Sequence, residues 1–330
     1  MNITRRKLLK LSTIGVIAAG WPAIVRANTN ETIAFSGPAF GSAWRLVVAG
    51  GTDGALAQSI IKNIVSRIDF LMSPFRDDSE ISRFNSLDAA PAPDGVKLSK
   101  ETISVVHTAL ELSRHSDGAF DPTVAPMGRR FGFGANNISP TRPAGHYADL
   151  NINGHEIKTT RPELSLDLCG IAKGYALDAI ANELAGLDFL LELGGEIAAR
   201  GRHPSGREWL MGIDNPQAGN IRRIIKWDGR ALATSGNGVE GYNFAGHRYG
   251  HVINPKTATP VAGNVVQVSV LAPNAMLADG LATAALVMGP DRATEMLKQF
   301  DASALFLVRD DGGTTLHEVE VLDFSKGSGI

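Results

Sequence analysis

The sequence has a single cysteine, and this scarcity excludes several kinds of site. Cys169 has no second cysteine with which to form an internal disulfide bond, so a disulfide framework is excluded. A structural zinc site needs several cysteine or histidine ligands at short spacings, and the eight histidines show no such pairing. The chain is therefore neither a disulfide-stapled scaffold nor a zinc-binding module.

The sequence also lacks the glycine motifs of the common nucleotide-binding folds. It contains no Walker loop and no GxGxxG after a strand, so any dinucleotide would bind without a Rossmann unit. Ser235 stands in Thr-Ser-Gly rather than between the two glycines of a nucleophile elbow. This pattern argues against a serine hydrolase and indicates a turn residue.

No excess of basic residues remains once the N-terminal segment is set aside. The whole chain has a formal net charge of -2, but residues 1–27 carry five basic side chains and no acidic one. The remainder holds 27 Lys and Arg residues against 34 Asp and Glu residues, a net charge of -7. Because no basic stripe is left, the composition disfavours a nucleic-acid-binding function.

The N-terminal segment has the pattern of a targeting signal. Residues 4–10, TRRKLLK, resemble a twin-arginine export motif, and an apolar stretch follows over 11–25. We expect a signal peptide over 1–27, cleavage after Ala27, and a folded, soluble protein in the periplasm. An uncleaved membrane anchor is the alternative, although the stretch is short for a spanning helix and contains polar residues.

Composition and hydrophobic periodicity indicate one α+β domain over 28–330. With 44% hydrophobic and 20% charged residues, the 330-residue chain buries a full core. Short apolar runs between turn residues, most of them in 189–271, predict a mainly antiparallel sheet on which helices pack. Apolar residues at helical spacing predict helices over 55–72, 101–115 and 274–288.

The run from Asp167 to Tyr175 is the most informative stretch. An apolar, strand-like lead-in over 164–168 meets Gly170, and a helix is predicted to open near Ile171. Glycine lets the backbone approach a ligand, and the first amides of a helix suit a phosphate, to which Lys173 adds positive charge. A strand, a glycine turn and a helix also occur as plain architecture, which is the alternative here.

A second candidate site lies on the predicted helix 274–288. Asp279 and Thr283 are four residues apart, so they lie on one face of that helix. A carboxylate and a hydroxyl are hard oxygen ligands, and magnesium typically takes one or two protein carboxylates together with water and substrate phosphates. The alternative is an exposed Asp279 and a Thr283 hydrogen-bonded to its own helix.

Two loops are further candidates. The loop 118–124 contains Ala119, Phe120 and Asp121, and its glycine, aromatic face and carboxylate suit the fixing of a planar ring. A helix-capping turn is the alternative. Residues 128–146 have the composition of a long surface loop, whose three arginines either meet a phosphate or a partner or lie on a solvated face.

Short motifs follow one another along the chain and carry a family resemblance. They are Met72–Phe75 with Ser79–Asn85, Gly118–Val124, Asp167–Tyr175, Glu192–Glu196, Ala233–Gly236, His251–Pro255 and Ala278–Ala284. In this order they resemble the ApbE-type FAD:protein FMN transferases, or flavin transferases. The chain departs from the usual family pattern at Cys169, in place of glycine or serine, at Asn254, in place of aspartate, and at Ala258, in place of glycine.

The resemblance implies a fold, a reaction and a metal. The domain would be ApbE-like and T-fold-like, with FAD as substrate and Mg2+ as cofactor. Asp279, Thr283 and the main-chain carbonyl of Gly170 would hold the metal against the pyrophosphate of FAD. A Thr or Ser hydroxyl of an acceptor protein would attack the FMN-side phosphorus and release AMP, with His251 as the proton acceptor.

The resemblance also implies the contacts with FAD. Phe40 and Phe75 would contact the cofactor, Asp167 would donate or accept a hydrogen bond, Lys173 would offset phosphate charge, and Ile253 would pack against it. The alternative for Phe40 is an aromatic side chain that packs at the edge of the hydrophobic core.

Two other functions would use the same site. One is hydrolysis of FAD to FMN and AMP, with water in place of the acceptor hydroxyl, and the other is FAD binding without catalysis. The expected protein partner is an acceptor flavoprotein, a subunit of a membrane respiratory complex. Since no cysteine lies near the signal, we expect a soluble protein rather than a lipid-anchored one.

Overall fold

The computed structural model describes residues 32–86, 95–161, 163–237, 241–244, 247–310, 313 and 315–324. The expected signal peptide over 1–27 lies outside these residues. Among the helices that are described, none combines the length and the apolar character that crossing a membrane requires.

Several of the helices begin at side-chain caps. The Asp53 carboxylate accepts hydrogen bonds from the amides at the start of α1, Ser99 caps α3, and Asn274 caps α6. The helices of the described chain are α1 Gly54–Met72, α2 Glu80–Asn85, α3 Lys100–His115, α4 Ala125–Arg130, α5 Ala172–Glu183, α6 Ala275–Met288 and α7 Pro290–Gln299. The predictions of α1, α3 and α6 are therefore confirmed.

The strands form one large sheet and several small ones. They are β1 Thr32–Ala39, β2 Ser42–Ala49, β3 Val96–Lys97, β4 Leu150–Asn153, β5 Glu156–Thr159, β6 Phe189–Leu193, β7 Glu196–Arg200, β8 Leu210–Asp214, β9 Ile221–Lys226, β10 Ala231–Gly236, β11 Gly241–Phe244, β12 His247–Gly250, β13 Ile253–Asn254, β14 Thr259–Pro260, β15 Val265–Ala272, β16 Ser303–Arg309 and β17 Leu316–Val321.

The large sheet has the order β1-β2-β6-β7-β10-β15-β16-β17 in the described residues. Each neighbouring pair in it is antiparallel. A Rossmann unit needs parallel strands joined by crossover helices, and this sheet has none among its described strands. The expected α+β fold, with helices on a mainly antiparallel sheet, is confirmed.

Alternate residues of the central strands enter two separate cores. On β2, Leu46 and Val48 lie in the core under the helices, whereas Val47 faces the opposite core. On β6, Leu191 and Leu190 divide in the same way. The hairpin β8–β9 contributes to the second core, so the centre of the sheet is covered on both faces. The candidate site lies on the helical face.

Helices α5 and α6 approach each other closely on that face. A Cβ atom at Gly174 would lie 2.2 Å from the carbonyl oxygen of Ala275, which leaves no room for any side chain. The Asp178 carboxylate accepts hydrogen bonds from the amides of Ala275 at 2.8 Å and Met276 at 2.9 Å. A side chain of α5 therefore caps α6, and the first turns of the two helices lie side by side.

The segment 128–146 is largely the surface loop that its composition predicts, since no helix or strand lies in 131–146. It begins inside α4, and its arginines bond to main-chain carbonyls nearby. Arg130 Nε donates to Pro140 O at 3.1 Å, and Arg142 Nη1 donates to Asn85 O at 2.5 Å and to Ser165 Oγ at 3.0 Å. Arg142 therefore fastens the segment to the domain, whereas Arg130 is exposed and bonds within the segment, as a solvated face predicts.

Candidate active site

The backbone that leads into the glycine turn is held by a side chain rather than by a sheet. Leu164, Leu166 and Leu168 are buried as their pattern predicts, but they form no strand. The buried Asn85 side chain accepts a hydrogen bond from Leu166 N at 2.7 Å and donates one to Leu166 O at 2.8 Å. A neighbouring strand would supply the same two bonds, so Asn85 takes its place.

The turn itself brings the start of α5 to the surface of the core. The Asp167 carboxylate accepts a hydrogen bond from Cys169 N at 2.9 Å, and Ile171 N donates to Leu168 O at 3.1 Å. The N-cap residue of α5, Ile171, makes no side-chain capping bond of its own. The positive end of the helix dipole is therefore directed at the turn. Asp167 shapes this turn, and its contact with a cofactor stays a prediction.

Helix α6 brings Asp279 and Thr283 to the same turn. Asp279 is 3% exposed, and its Oδ2 accepts a hydrogen bond from Gly174 N at 3.0 Å. The Thr283 hydroxyl lies 3.4 Å from the carbonyl oxygen of Gly170 and 3.4 Å from Ser235 Oγ. The alternative of an exposed aspartate and a back-bonded threonine is therefore wrong. The oxygen atoms predicted to hold a metal all border the first turn of α5.

Lys173 lies between two buried carboxylates. Its Nζ donates a hydrogen bond to Glu196 Oε1 and lies 3.6 Å from Asp279 Oδ1. Burial lowers the pKa of Lys173, but the charges of Asp279 and Glu196 outweigh that effect and raise it well above its usual range. Lys173 is therefore a fixed ammonium group.

Glu196 contributes a buried carboxylate oxygen to this cluster that lacks a hydrogen-bond donor among the described residues. Its side chain is 1% exposed, and within the described chain its Oε2 atom is buried without a hydrogen-bond donor. Burial raises the pKa of Glu196, whereas the Lys173 ammonium opposes that shift and favours the ionised carboxylate. One ammonium group thus serves two buried carboxylates, and the cluster attracts a further positive charge.

The loop 118–124 lies against the glycine turn. Phe120 is buried, and a Cβ atom at Gly170 would lie 3.4 Å from its ring. The buried Asp121 carboxylate accepts hydrogen bonds from Thr123 N at 2.8 Å, Thr123 Oγ1 at 2.7 Å and Tyr147 N at 3.0 Å, while burial raises the pKa of Asp121. Asp121 therefore orders the loop. The FAD contacts predicted for it, for Phe120 and for the buried Ala119 stay predictions.

The other residues predicted to contact FAD lie in three different settings. Phe40 occupies the two-residue turn between β1 and β2 with a φ of 49°, a left-handed conformation that costs an aromatic residue roughly 1–3 kcal/mol. Phe75 follows α1 and is 68% exposed, which is unusual for phenylalanine. Ile253 is buried on β13, where a Cβ atom at Gly128 of α4 would lie 3.8 Å from it.

His251 is half-buried and directly follows the hairpin β11–β12. Stacked rings hold this hairpin against the segment after α4. The Tyr242 ring lies 5.4 Å from that of Tyr249 and 5.6 Å from that of Phe133, and the Tyr242 hydroxyl donates to Phe131 O at 3.0 Å. His251 is thereby attached to a braced element, and its role as a proton acceptor stays a prediction.

The departure at Ala258 has a structural consequence. Ala258 lies in the turn between β13 and β14 with a φ of 55°, and its amide donates to Asn254 O at 2.9 Å. This left-handed conformation favours glycine, the residue that the family pattern has there. The turn after the His251 motif is therefore strained in this chain.

Sequence reasoning missed three contributors to the site. Glu196 and Asn85 stand within motifs, but neither is predicted to act, because nothing in a single sequence signals which polar residues are buried. Ser235 is predicted to be a turn residue, whereas the structure places it on β10 with its hydroxyl beside Thr283. That prediction is wrong, since β10 continues through Gly236 and pairs with β15 over its whole length.

The fold and the site define the class of protein: it is an α+β domain without a Rossmann unit among its described elements, and it has a charged cluster at a helix N-terminus. Comparison with known proteins identifies the family. The family model described as the ApbE family matches residues 40–306. The chain belongs to the ApbE family, and it is an enzyme of that family, as its motifs predict.

Individual relatives agree along nearly their whole length. The chain is 33% identical over 301 residues to the FAD:protein FMN transferase of Vibrio cholerae, covering 86% of this chain and 89% of that protein. It is 29% identical over 325 residues to that of Haemophilus influenzae, covering 91% and 93%. The solved structure of the flavin transferase ApbE from Vibrio cholerae has a TM-score of 0.77 at 32% identity, covering 89% of this chain and 98% of that one.

Proposed function

We propose that the protein transfers the FMN moiety of FAD to a Thr or Ser hydroxyl of an acceptor protein, forming a phosphoester and releasing AMP. The names of its relatives support transfer of FMN from FAD to a protein. The observation that carries the proposal is the meeting of Thr283, Gly170 and buried Asp279 at the start of α5. A helix N-terminus and hard oxygen ligands suit a diphosphate with its cation.

The residues present fit Mg2+. Asp279 offers a buried carboxylate, and the Thr283 hydroxyl and Gly170 carbonyl lie 3.4 Å apart. The described residues contain no group of three or more His, Cys, Asp or Glu side chains arranged around one ion. A cation held by one carboxylate and two neutral oxygens keeps positions for water and substrate phosphate, as Mg2+ does. When bound, it would neutralise charge on the pyrophosphate.

The chain's own residues then position the reactants. The positive end of the α5 dipole and the Lys173 ammonium stabilise negative charge on the phosphates. His251 accepts the proton of the acceptor hydroxyl as its oxygen bonds to the FMN-side phosphorus. The bond from that phosphorus to the bridging oxygen breaks, and AMP leaves with the bridging oxygen. Phe40 contacts the flavin side of FAD, and Phe75 and Ile253 pack against the cofactor. The left-handed backbone at Phe40 is consistent with a binding role.

The cellular setting is part of the same proposal. Export by the twin-arginine route and cleavage after Ala27 would place a soluble enzyme in the periplasm. The acceptor would then be a flavoprotein subunit of a membrane respiratory complex. Export is tested by locating the full chain in cell fractions, with Arg5→Lys and Arg6→Lys together as the comparison.

A direct assay separates transfer from the two other functions. The purified protein is incubated with FAD, Mg2+ and a candidate acceptor flavoprotein encoded beside its gene. Flavin fluorescence that remains on the denatured acceptor, with an equal amount of AMP, supports transfer. Free FMN with AMP indicates hydrolysis, and unchanged FAD indicates binding alone.

The metal assignment has its own test. Asp279→Ala is expected to lower turnover by about a hundredfold or more, because it removes the charged ligand. Asp291→Ala is the control, since Asp291 is an exposed aspartate in the first turn of α7. A chelator should abolish wild-type turnover, and added Mg2+ should restore it. Full activity of Asp279→Ala would remove the metal assignment.

A further inference from the structure

In the cluster at the start of α5, the Lys173 ammonium group lies closer to one carboxylate than to the other. Lys173 Nζ is hydrogen-bonded to Glu196 Oε1, whereas its distance to Asp279 Oδ1 is 3.6 Å, beyond hydrogen-bonding distance. Both carboxylates are buried, at 1% and 4% side-chain exposure. The stronger contact is therefore with Glu196, and Asp279 Oδ1 is left without a close bond to the ammonium.

Glu196 is well placed to act as a rigid anchor. It is the first residue of β7 and pairs with Leu193 of β6, so its backbone belongs to the central sheet. The tight turn between these strands consists of Gly194 and Gly195, at φ values of 64° and 109°. Lys173, by contrast, reaches the cluster on a flexible four-carbon chain. The sheet therefore determines where the ammonium lies.

Without the Glu196 charge, the ammonium would have one remaining carboxylate. Asp279 Oδ2 already accepts the hydrogen bond from Gly174 N, so Lys173 would close on Oδ1. Both oxygens of Asp279 would then be occupied by donors of α5. A cation would have to displace the ammonium from a buried carboxylate, and such pairs are costly to separate.

We infer that Glu196 is a positioning residue that holds Lys173 away from Asp279 and so keeps the Asp279 carboxylate available to a divalent cation. This inference rests on the proposed function for the identity of the cation. It gives Glu196 a role through Lys173, without contact with the substrate. It also predicts a specific coupling: the effect of Glu196 on cation binding requires the lysine.

Cation binding is measured without FAD, so the readout is independent of turnover. Mn2+ is the probe, because it takes the same oxygen ligands as Mg2+ and its free ion is counted by electron paramagnetic resonance. The proteins are the wild type, Glu196→Gln, Lys173→Met and the double variant. Glu196→Gln should weaken Mn2+ binding about tenfold more when Lys173 is present than when methionine replaces it, a coupling within the usual range for contacting residues.

Controls separate this role from general damage. Glu295→Gln removes an exposed carboxylate that pairs with Lys298 at 2.6 Å on α7, and it should leave Mn2+ binding unchanged. Thermal unfolding identifies any variant that fails to fold, in which case Glu196→Asp, which keeps the charge, replaces Glu196→Gln with a smaller expected loss.

The possible outcomes are distinct. An equal effect of Glu196→Gln in both backgrounds would show simple charge loss and overturn the inference, as would a wild type that binds no Mn2+. If the coupling is found but the wild type transfers no FMN to any acceptor, the proposed function fails while the role of Glu196 stands.

Discussion

Replacing Gly174 with alanine sets two opposed effects against each other. Gly174 lies inside α5, where alanine is favoured over glycine by about 1 kcal/mol. The added Cβ, however, would lie 2.2 Å from Ala275 O and 2.8 Å from the Cα of Met276. These are backbone atoms of α6, so no side-chain rotation relieves the clash, and the two helices must separate.

The magnitude follows from this geometry. Overpacking in a core usually costs about 1–3 kcal/mol, and a clash between two backbones belongs at the upper end of that range or above it. After the gain of about 1 kcal/mol in helix propensity, a net loss of about 2 kcal/mol or more remains. At roughly 2–4 °C per kcal/mol for a large domain, the melting temperature should fall by roughly 4–8 °C.

The assay is thermal unfolding, followed by circular dichroism, with Gly128→Ala as the matched control. Gly128 also lies in a helix, α4, but its added Cβ would meet no heavy atom closer than 3.8 Å. The control should unfold at the wild-type temperature or slightly above it. If Gly174→Ala matched the control, the close contact between α5 and α6 would not exist as described.

Other substitutions test the backbone around the site. Asn85→Ala should lower the unfolding free energy by about 2–5 kcal/mol in urea titrations, because it leaves the buried N–H and C=O of Leu166 without partners; an effect below 1 kcal/mol would mean that water replaces the side chain. Ala258→Gly should raise the unfolding free energy by about 1 kcal/mol by relieving the left-handed backbone, and a loss of stability would contradict the strain.

The fold was predictable wherever periodicity decides the structure. The apolar stripe of α1 and the cap at Asn274 need no tertiary information, since spacing and a capping side chain specify them. The lead-in over 164–168 has the same apolar alternation as a strand, but its partner is the Asn85 side chain, 81 positions away from Leu166. Local pattern cannot reveal a partner of that kind.

In the candidate site, too, some residues are predictable from local sequence and others depend on tertiary contacts. The spacing of Asp279 and Thr283 places them on one face of α6, and Gly170 enters through the family resemblance. The role of Glu196 depends on its distance to Lys173 and on its burial in the sheet. Both are properties of the tertiary structure, and a single sequence does not predict them. Ser235 is predicted to be a turn residue because Thr-Ser-Gly lacks the glycine pattern of a nucleophile elbow, yet the pairing of β10 with β15 places it in a strand.

The stability of the charged cluster in the free protein also bears on the function of the site. A buried ion pair gains little stability over apolar residues of the same volume, and an unsatisfied buried carboxylate oxygen is a net cost. Lys173, Glu196 and Asp279 place two buried carboxylates around one partly exposed ammonium group, with Glu196 Oε2 lacking a donor in the described chain. Stability alone would favour apolar replacements. The unfavourable free energy of these charges in the free protein is what a binding site for a cation and a diphosphate would show, because the bound cation would offset the excess negative charge.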